Sequence, residues 1–187
     1  MSRWCDLRLL RSHSGLAFLS RSFVKMIHEV SGDILLSDCK AIAHGIAPNE
    51  HFDHGLALAL REKWPSMAKD YRHYAQQTHP KPGEIWTWSG VGGTRIINLL
   101  TQEGEHGHGA KPGRASLSHV HHCLKRLRHE LEVTGIDRLA MPRLATGVGG
   151  LDWNDVEPLI VQHLGDLPVS IFLYTTFHAG QKAVEKG

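Results

Sequence analysis

The sequence has few cysteines and no long apolar run, and both absences narrow the class of protein. Three cysteines stand far apart in 187 residues, at Cys5, Cys39 and Cys123. An odd, scattered set argues against a disulfide framework and for a reducing, cytoplasmic setting. No apolar run approaches the roughly 20 residues that span a bilayer, so we expect no membrane partner. The 41% hydrophobic and 21% charged residues are ordinary for one well-buried globular domain.

Acidic residues are nearly absent from residues 1–25. This segment carries five Arg or Lys side chains against Asp6 alone, so the net charge of +2 conceals a balance of −2 over the remaining chain. The body therefore offers no bulk electrostatic case for nucleic-acid binding. Residues 1–25 are open to three interpretations: a translation start placed upstream of Met26, a disordered extension, or an organelle transit peptide. We expect the folded domain to occupy residues 26–187.

Short apolar runs alternate with amphipathic segments after Met26. Six runs have strand composition: Ile27–Val30, Ala41–Ala43, Glu84–Trp88, Thr94–Leu100, Ile136–Met141 and Val169–Thr175. Apolar residues spaced three and four apart predict three helices: Leu56–Gln76, Ser116–Val133 and Asp152–Leu164. Residues 101–113 are polar and glycine-rich, and we expect them to form an exposed loop.

This alternation predicts an α/β fold, with helices on both faces of a largely buried sheet. Glu84–Trp88 and Thr94–Leu100 flank a glycine-rich turn, and a hairpin there makes the sheet mixed rather than wholly parallel. Ligands of such folds bind beyond the carboxyl ends of the strands. We therefore expect the loops after Ala43, Met141 and Thr175 to lie near one another.

The stretch Met141–Trp153, MPRLATGVGGLDW, has the most distinctive pattern in the chain. It leads from an apolar strand through a glycine-rich loop into a helix that begins near Asp152. Backbone N–H groups in such a loop approach phosphate oxygens without obstruction, and the helix dipole adds a favourable field. The pattern predicts a phosphorylated ligand. Neither the GxxxxGK[ST] motif of P-loop NTPases nor the GxGxxG motif of Rossmann enzymes is present.

Several short motifs follow one another over about residues 26–176. They are Gly32-Asp33-Ile34, Ala43-His44-Gly45, Gly55-Leu56-Ala57, Gly83-Glu84, Leu99-Leu100-Thr101, Lys111-Pro112, Met141–Trp153 and Ile171–Thr175. Their order and spacing together resemble the macrodomain family of ADP-ribose-binding modules, and most closely the subgroup of the terminal ADP-ribose protein glycohydrolase and a chromatin-remodeller macrodomain. The resemblance implies a three-layer α/β/α macrodomain with a mixed central sheet.

The resemblance also implies a partner and a site. The partner would be ADP-ribose, or an ADP-ribosylated protein or nucleic acid, bound by a monomer that needs no cofactor. Asp33 would hold the adenine amino group, and Arg143–Gly149 would wrap the diphosphate through backbone amides. The implied ligand-binding residues are Asp33, Ile34, His44, Gly45, Ala47, Gly55, Leu56, Arg143, Leu144, Ala145, Thr146, Gly147, Val148, Gly149, Thr176 and Phe177. Asp33 as a simple turn residue and Phe177 as a partly buried aromatic are the alternatives.

The activity that the resemblance implies is hydrolytic removal of ADP-ribose from modified macromolecules. The nearest glycohydrolase relatives use a nucleophilic lysine and an aspartate in the phosphate loop. The lysine position here falls in the Trp88-Ser89 region, and Gly149 stands at the aspartate position. A covalent lysine mechanism is therefore disfavoured, which leaves two alternatives, attack by a held water or a non-catalytic reader of ADP-ribose.

Water attack needs a group that accepts a proton near the distal ribose. Three side chains of the loop expected there have that chemistry, namely His51, Asp53 and His54. Asp152 is a tempting further acid, but its position favours an N-cap of the following helix. These assignments leave the catalytic residue open.

Fifteen histidines also raise the question of a metal site. The densest groups are His106 with His108, and His119 with His121 and His122. Adjacent histidines on a helix point in different directions, and no cysteine or carboxylate completes a tetrahedral set at a convincing spacing. We expect no metal.

Overall fold

The computed structural model describes residues 26–104 and 112–187. Within these ranges, six strands alternate with four α-helices and two single 3₁₀ turns, at Ile34–Leu36 and Val91–Gly93. In chain order the elements are β1 (Ile27–Gly32), β2 (Ala41–Ile46), α1 (Gly55–Lys63), α2 (Pro65–Thr78), β3 (Ile85–Ser89), β4 (Arg95–Leu100), α3 (Leu117–Thr134), β5 (Arg138–Pro142), α4 (Trp153–Leu164) and β6 (Ser170–Phe177). The predicted residues 1–25, His106 and His108 lie outside the described residues.

The strands form one mixed sheet in the order β1-β6-β5-β2-β4-β3. Each neighbouring pair is parallel except β3 with β4, the predicted hairpin. Because β2, β5 and β6 run the same way, their carboxyl ends meet at one edge of the sheet. The predicted convergence of the loops after these three strands is confirmed.

Helices cover both faces of the sheet, so the implied three-layer α/β/α arrangement is confirmed. On one face α3 and α4 bury side chains such as Leu124 and Ile160 against the sheet. On the other face α1 and α2 bury Leu60, Met67 and Tyr71. Both buried stripes follow the helical spacing of apolar residues in the sequence.

The single helix expected over Leu56–Gln76 is wrong, because the chain breaks between α1 and α2. Pro65 has no amide hydrogen and disfavours helical geometry in the residue before it. Trp64 accordingly has φ −131° and ψ 76°, and Pro65 starts the new helix at its first turn. The stripe of Leu60, Met67 and Tyr71 keeps its spacing across the break, which is why the periodicity concealed it.

The expectation of an exposed loop over residues 101–113 is wrong at both described ends of that range. Thr101 is fully buried and Gln102 is 6% exposed. Gln102 pairs with Ala115 in an isolated bridge, which draws the chain back toward α3. Gly113 is buried as well. Polarity misled the prediction because these polar groups face a cleft rather than bulk solvent.

The segment after β6 packs back against the body of the protein. The Asp33 amide donates to the Gln181 carbonyl at 2.7 Å. Gly32 (φ 153°) is needed there, since a Cβ at this position would lie 2.8 Å from both the Ala183 amide nitrogen and the Gln181 carbonyl oxygen. The Glu185 side chain is 1% exposed and accepts hydrogen bonds from Ser37 and Tyr174. Residues 178–187 thus secure the chain around the 3₁₀ turn Ile34–Leu36.

Candidate functional site

A cleft opens along the carboxyl edge of the sheet and has two lobes. The apolar lobe has a volume of about 410 Å³ and is lined by Gly32, Asp33, Ile34, Leu35, Ala59, Tyr174 and Phe177. The polar lobe has a volume of about 480 Å³ and is lined by residues of the β2–α1, β4–α3 and β5–α4 connections. Gly55, Leu56 and Pro142 border both lobes. Cavities of this size accommodate small organic ligands.

The glycine loop after β5 forms one wall of the polar lobe. Arg143, Leu144, Ala145, Gly147, Val148 and Gly149 all line it. Among the described hydrogen bonds, the amides of Gly147, Val148 and Gly149 donate none, whereas those of Gly150 and Leu151 are used within the loop. Consecutive unpaired N–H groups beside a helix start suit an anion. The loop thus keeps unpaired amides at a wall of the polar lobe, and its binding of an anion stays a prediction.

Two glycines of this loop differ in what they permit. A Cβ at Gly147 would meet nothing within 4 Å, whereas one at Gly149 would lie 2.5 Å from the Ala145 carbonyl oxygen and 2.9 Å from the Ala115 Cβ. Gly149 is therefore required by close packing. An aspartate at this position would need the loop to move, which gives a physical reason for the missing acid.

Arg143 supplies the positive side chain of the polar lobe. Its guanidinium carbon lies 5.5 Å from the centre of the Trp153 ring, a cation–π arrangement at the start of α4. Ala145 has φ 59°, a left-handed conformation that is uncommon outside glycine. This left-handed turn directly precedes the segment that carries the unpaired amides of Gly147, Val148 and Gly149.

The end of β2 contributes a neutral histidine. His44 is 2% exposed, and its Nε2 lies 2.8 Å from Asn98 Oδ1. Burial lowers the pKa of His44 to about 4, an effect that the hydrogen bond to Asn98 only partly opposes. Since Asn98 Oδ1 can only accept, Nε2 carries the hydrogen. At neutral pH His44 brings no charge to the lobe.

Gly45 lets the β4–α3 connection approach β2 closely. A Cβ there would lie 2.7 Å from Thr101 Oγ1 and 3.2 Å from Leu144 Cδ1. Thr101 Oγ1 is buried and, within the described structure, has no hydrogen-bond partner. A buried hydroxyl in a cleft wall without a partner is a costly arrangement, and a bound polar ligand would satisfy it.

The β2–α1 loop places a buried carboxylate in the polar lobe. Glu50 is 7% exposed. Its carboxylate accepts hydrogen bonds from the amides of Phe52 (2.8 Å) and Ala47 (3.5 Å). Phe52 has φ 56° and is fully buried against Tyr71. Among the described residues, no Lys, Arg or His nitrogen lies within 4.0 Å of Glu50.

Asp33 borders the apolar lobe, and both of its carboxylate oxygens bond backbone amides. Oδ1 accepts from Leu35 N–H at 3.0 Å, and Oδ2 accepts from Gly180 N–H at 3.1 Å. Its alternative role as a turn residue is therefore realised, but each oxygen retains a lone pair for a ligand. Phe177 is 71% exposed at the rim, so the alternative of a partly buried aromatic does not hold.

Several residues implied by the resemblance do not line the cleft. Ala47 is fully buried, and its carbonyl accepts from Tyr71. The Thr146 hydroxyl turns back to the Arg143 carbonyl. Thr176 is exposed and lies outside both lobes. The side chains of these three residues are therefore not brought to the cleft.

The three catalytic candidates are separated. His54 lines the polar lobe, with Nδ1 against the exposed Asp53 carboxylate, while Asp53 itself stays outside the lobe. His51 lines a neighbouring cavity of about 620 Å³, on the other side of the β2–α1 loop. Lys81 lies in that neighbouring cavity too. Glu50 borders both spaces.

The Trp88-Ser89 region is far from the cleft, so placing the lysine position there is wrong. Because β3 is antiparallel, its last residue, Ser89, pairs with Arg95, the first residue of β4. That pair lies at the amino edge of the neighbouring strands, opposite the cleft. Trp88 Nε1 donates to Asp70 on α2 at 3.0 Å. The carboxyl end of β4 instead brings Thr101 and Gln102 to the polar lobe.

Ten residues that line the cleft were not among the predicted site residues. They are Gly32, Leu35, Glu50, Ala57, Ala59, Thr101, Gln102, Pro112, Pro142 and Tyr174. A usable signal existed for two of them, since Thr101 and Gln102 directly follow a buried parallel strand, where ligand sites of α/β folds occur. Glu50 gave no such signal, because only the folded loop shows that its side chain is buried.

The described residues contain neither a cluster of metal-ligand type nor a membrane-spanning helix. No group of three or more His, Cys, Asp or Glu side chains lies close enough to hold a metal ion in residues 26–104 and 112–187. His121 and His163 do approach at 3.0 Å. No helix in the same ranges is long and apolar enough to cross a membrane.

A three-layer α/β/α domain with a glycine loop and a cleft at the carboxyl edge of its sheet defines an α/β class of ligand-binding fold. The Macro domain family model matches residues 46–160, more than half of the chain. The chain belongs to the macrodomain family.

Known relatives agree with this assignment. The chain is 29% identical over 164 residues to the DNA ADP-ribosyl glycohydrolase of Mycobacterium tuberculosis, covering 86% of this chain and 45% of that protein. It therefore spans about half the length of this curated relative.

Solved structures show the same fold. The macrodomain of Thermus aquaticus DarG superposes with a TM-score of 0.70 at 22% identity, covering 80% of this chain and 97% of that chain. Thermosipho africanus DarTG in complex with ADP-ribose gives a TM-score of 0.70 at 18% identity, covering 83% and 42%.

Proposed function

We propose that this macrodomain binds ADP-ribose in the two-lobed cleft and hydrolyses its linkage to a modified macromolecule. The observation that carries the proposal is the set of unpaired amides at Gly147, Val148 and Gly149, which lies in the polar lobe beside an apolar lobe. A ligand with a central diphosphate and an aromatic base at one end matches that order of surfaces. The relative named as a DNA ADP-ribosyl glycohydrolase and the DarTG structure with ADP-ribose support it.

The adenosine half of the ligand belongs in the apolar lobe. Phe177 at the rim offers an aromatic face for a purine ring, and Asp33 offers carboxylate oxygens for its amino group. Ile34 and Leu56 provide apolar contact. Thr176, at the end of the same strand, would meet the ligand only if the rim closed over it.

The diphosphate and the distal ribose belong in the polar lobe. The loop Arg143–Gly149 would surround the diphosphate with amides, and the Arg143 guanidinium adds positive charge. His44, Gly45 and Gly55 border the space beyond. The carbon that carries the modified macromolecule therefore lies near the β2–α1 and β4–α3 connections.

Hydrolysis by water fits these walls better than attack by a lysine. Arg143 is the one fixed positive charge among the described residues that line the polar lobe, and an arginine is not a nucleophile because it stays protonated. No residue of the described cleft identifies the group to which ADP-ribose is linked. That group could be DNA, as in the relative's name, or a protein carboxyl or hydroxyl group. We propose nucleic-acid-linked ADP-ribose as the first substrate to test.

A non-catalytic reader of ADP-ribose is the second candidate. The observation that favours it is the packing of Gly149, which leaves no room for an acid in the phosphate loop. A reader would use the same two lobes and the same loop. Only the fate of the linkage differs between the two functions.

Turnover separates the two candidates. The full chain is incubated with ADP-ribose linked to an acidic side chain, to serine and to a DNA oligonucleotide, and released ADP-ribose is quantified. Calorimetry with free ADP-ribose is run in parallel. We expect micromolar binding and turnover of at least one linkage. Binding without turnover of any linkage would leave only the reader, and absence of binding would end both proposals.

A further inference from the structure

Glu50 stands out among the titratable groups of the molecule. It is a buried carboxylate that borders the polar lobe, and among the described residues it has no cationic partner. Removing a carboxylate from water is costly unless hydrogen bonds or opposite charges compensate it. A carboxylate beside a cavity can accept a proton from a bound group that lies within hydrogen-bond reach.

The hydrogen bonds of Glu50 fix its carboxylate but leave some of its lone pairs unused. The amide of Phe52 donates to one oxygen at 2.8 Å, and that of Ala47 donates to the other at a longer 3.5 Å. An ionised carboxylate offers about four lone-pair sites. At least two sites therefore remain for a water molecule or a sugar hydroxyl in the lobe.

The loop around Glu50 is rigid enough to place it. Phe52 buries its whole side chain and meets the Tyr71 ring edge-on at 5.4 Å. The Tyr71 hydroxyl in turn donates to the carbonyls of Ala47 and Pro48, at 3.1 and 3.0 Å. The loop is therefore fixed on both sides of Glu50 by the same tyrosine.

The neighbours of Glu50 in the polar lobe are those of a reacting centre. Thr101 and Gln102, at the end of β4, line the same lobe, and the Thr101 hydroxyl is buried and unpartnered among the described residues. Glu50 does not line the apolar lobe, where the adenosine half is placed. With the adenosine half there, the distal ribose and its acceptor would extend into the lobe that Glu50 borders.

We propose that Glu50 is the general base of the hydrolysis, activating the water that attacks the anomeric carbon of the distal ribose. This role rests on the proposed function. The water oxygen forms a bond to that carbon while Glu50 takes one water proton. The bond between the carbon and the acceptor breaks, and its electron pair leaves with the acceptor. The proton passes to the released acceptor or to solvent, so the products are free ADP-ribose and the unmodified macromolecule.

The test is Glu50→Gln in the full chain, assayed with whichever linkage the wild type cleaves. The amide keeps an acceptor oxygen for the Phe52 N–H, so the loop stays supported. We expect kcat to fall at least about 100-fold, in the range that general bases contribute, while the Kd for free ADP-ribose changes less than about 3-fold. Glu103→Gln is the matched control, because Glu103 is an exposed carboxylate on the neighbouring cavity, and its kcat should stay at the wild-type level.

A second variant separates chemistry from architecture. Glu50→Ala opens a space that formate can enter, and added formate should restore part of kcat with no change in melting temperature. A purely structural glutamate would lose ligand affinity and stability together, and formate would not restore turnover. Asp53→Asn, which removes the competing carboxylate beside His54, should lower kcat less than about 5-fold.

The outcomes distinguish the role of Glu50 from the proposed hydrolase function on which it rests. Wild-type binding without turnover would overturn both the hydrolase function and the role of Glu50. Wild-type turnover that survives in Glu50→Gln, or that falls together with ADP-ribose affinity, would overturn only the role of Glu50. A 100-fold loss in Asp53→Asn with Glu50→Gln active would transfer the role to the Asp53–His54 pair.

Discussion

Glu50 and Glu185 are both buried carboxylates, and the protein satisfies them differently. The Glu185 carboxylate accepts from the Ser37 hydroxyl at 2.5 Å, the Tyr174 hydroxyl at 2.7 Å and the Asp38 amide at 3.0 Å. Arg138 Nη2 lies 3.7 Å away. These donors come from three separate parts of the chain. Within residues 26–104 and 112–187, Glu50 has two amide donors, both from its own loop.

The difference indicates what each side chain does. Glu185 joins residues 37–38, β5 and β6 to the terminal segment, so its hydrogen bonds stabilise the fold. Burial and the adjacent Glu185 raise the pKa of the Tyr174 hydroxyl, which keeps that hydroxyl a donor. Glu50 makes no hydrogen bond to a distant part of the described chain, and it borders the cleft. A carboxylate that crosslinks is structural, and one that is held but left accessible to a ligand is available for chemistry.

The sharpest test of this contrast adds a second carboxylate to the polar lobe, which Glu50 already borders. In Gly147→Glu the new side chain has space, since nothing lies within 4 Å of its Cβ position. Its charge would repel the diphosphate and occupy its place. We expect ADP-ribose affinity to fall at least about 100-fold, or about 2.7 kcal/mol, with the melting temperature near that of wild type. Calorimetry measures it, and wild-type affinity in the variant would place the diphosphate elsewhere.

Glu185→Ala tests the crosslink directly. It leaves the Ser37 and Tyr174 hydroxyls and the Asp38 amide without their acceptor, and unsatisfied buried donors are costly. We expect a loss of about 2 kcal/mol in the free energy of unfolding, measured by denaturant titration.

Lys182→Ala is the matched control in the same terminal segment. Its ion pair with Asp38 is 55% exposed on both sides, and such a pair contributes less than about 1 kcal/mol. Equal losses in the two variants would show that Glu185 is no crosslink. A lost kcat with unchanged stability in Glu185→Ala would reverse the comparison with Glu50.

His44 shows a third way to bury a titratable group, which is to keep it neutral. Its pKa is about 4 in the folded protein against 6.5 for an ordinary histidine. As pH falls below 6.5, the unfolded chain gains this proton before the folded chain does, so stability declines down to about pH 4. We expect this histidine to cost about 2 kcal/mol between pH 7 and pH 5.

The measurement compares the free energies of unfolding of wild type and His44→Gln at both pH values. The variant should lose about 2 kcal/mol less on acidification, although it starts less stable. An equal pH dependence in the two proteins would mean that His44 is charged or accessible at pH 5.

The sequence predicted those parts of the fold that depend on local patterns. Helix α3 was expected over Ser116–Val133 and is found at Leu117–Thr134, with the Ser116 side chain accepting from the His119 amide. Apolar spacing and a capping residue determine such an element on their own. The break at Trp64 also has a local cause, Pro65. The continuous apolar periodicity nevertheless led to the prediction of a single helix.

The cleft was predictable only where a motif stays continuous in the chain. The loop Arg143–Gly149 contains glycines and lies between a strand and a helix that are adjacent in the sequence, so it could be predicted. Glu50, Thr101 and Tyr174 reach one cleft from three different strands or their connections, β2, β4 and β6. Whether a glutamate is crosslinked or free depends on partners more than 100 residues away, as with Ser37 and Glu185. No local pattern contains that information.

An exposed carboxylate completes the series and should have the smallest effect. Asp152 Oδ1 accepts from the Asn154 amide at 2.9 Å and caps α4. It lies outside both lobes of the cleft. Asp152→Ala should therefore cost about 1 kcal/mol of stability and leave kcat unchanged, while Asp152→Ser, which restores a capping oxygen, should recover most of the loss. A folded Asp152→Ala variant with greatly reduced turnover would show that an acid beyond the phosphate loop takes part in the reaction, and the division between held and available carboxylates would then have to include α4.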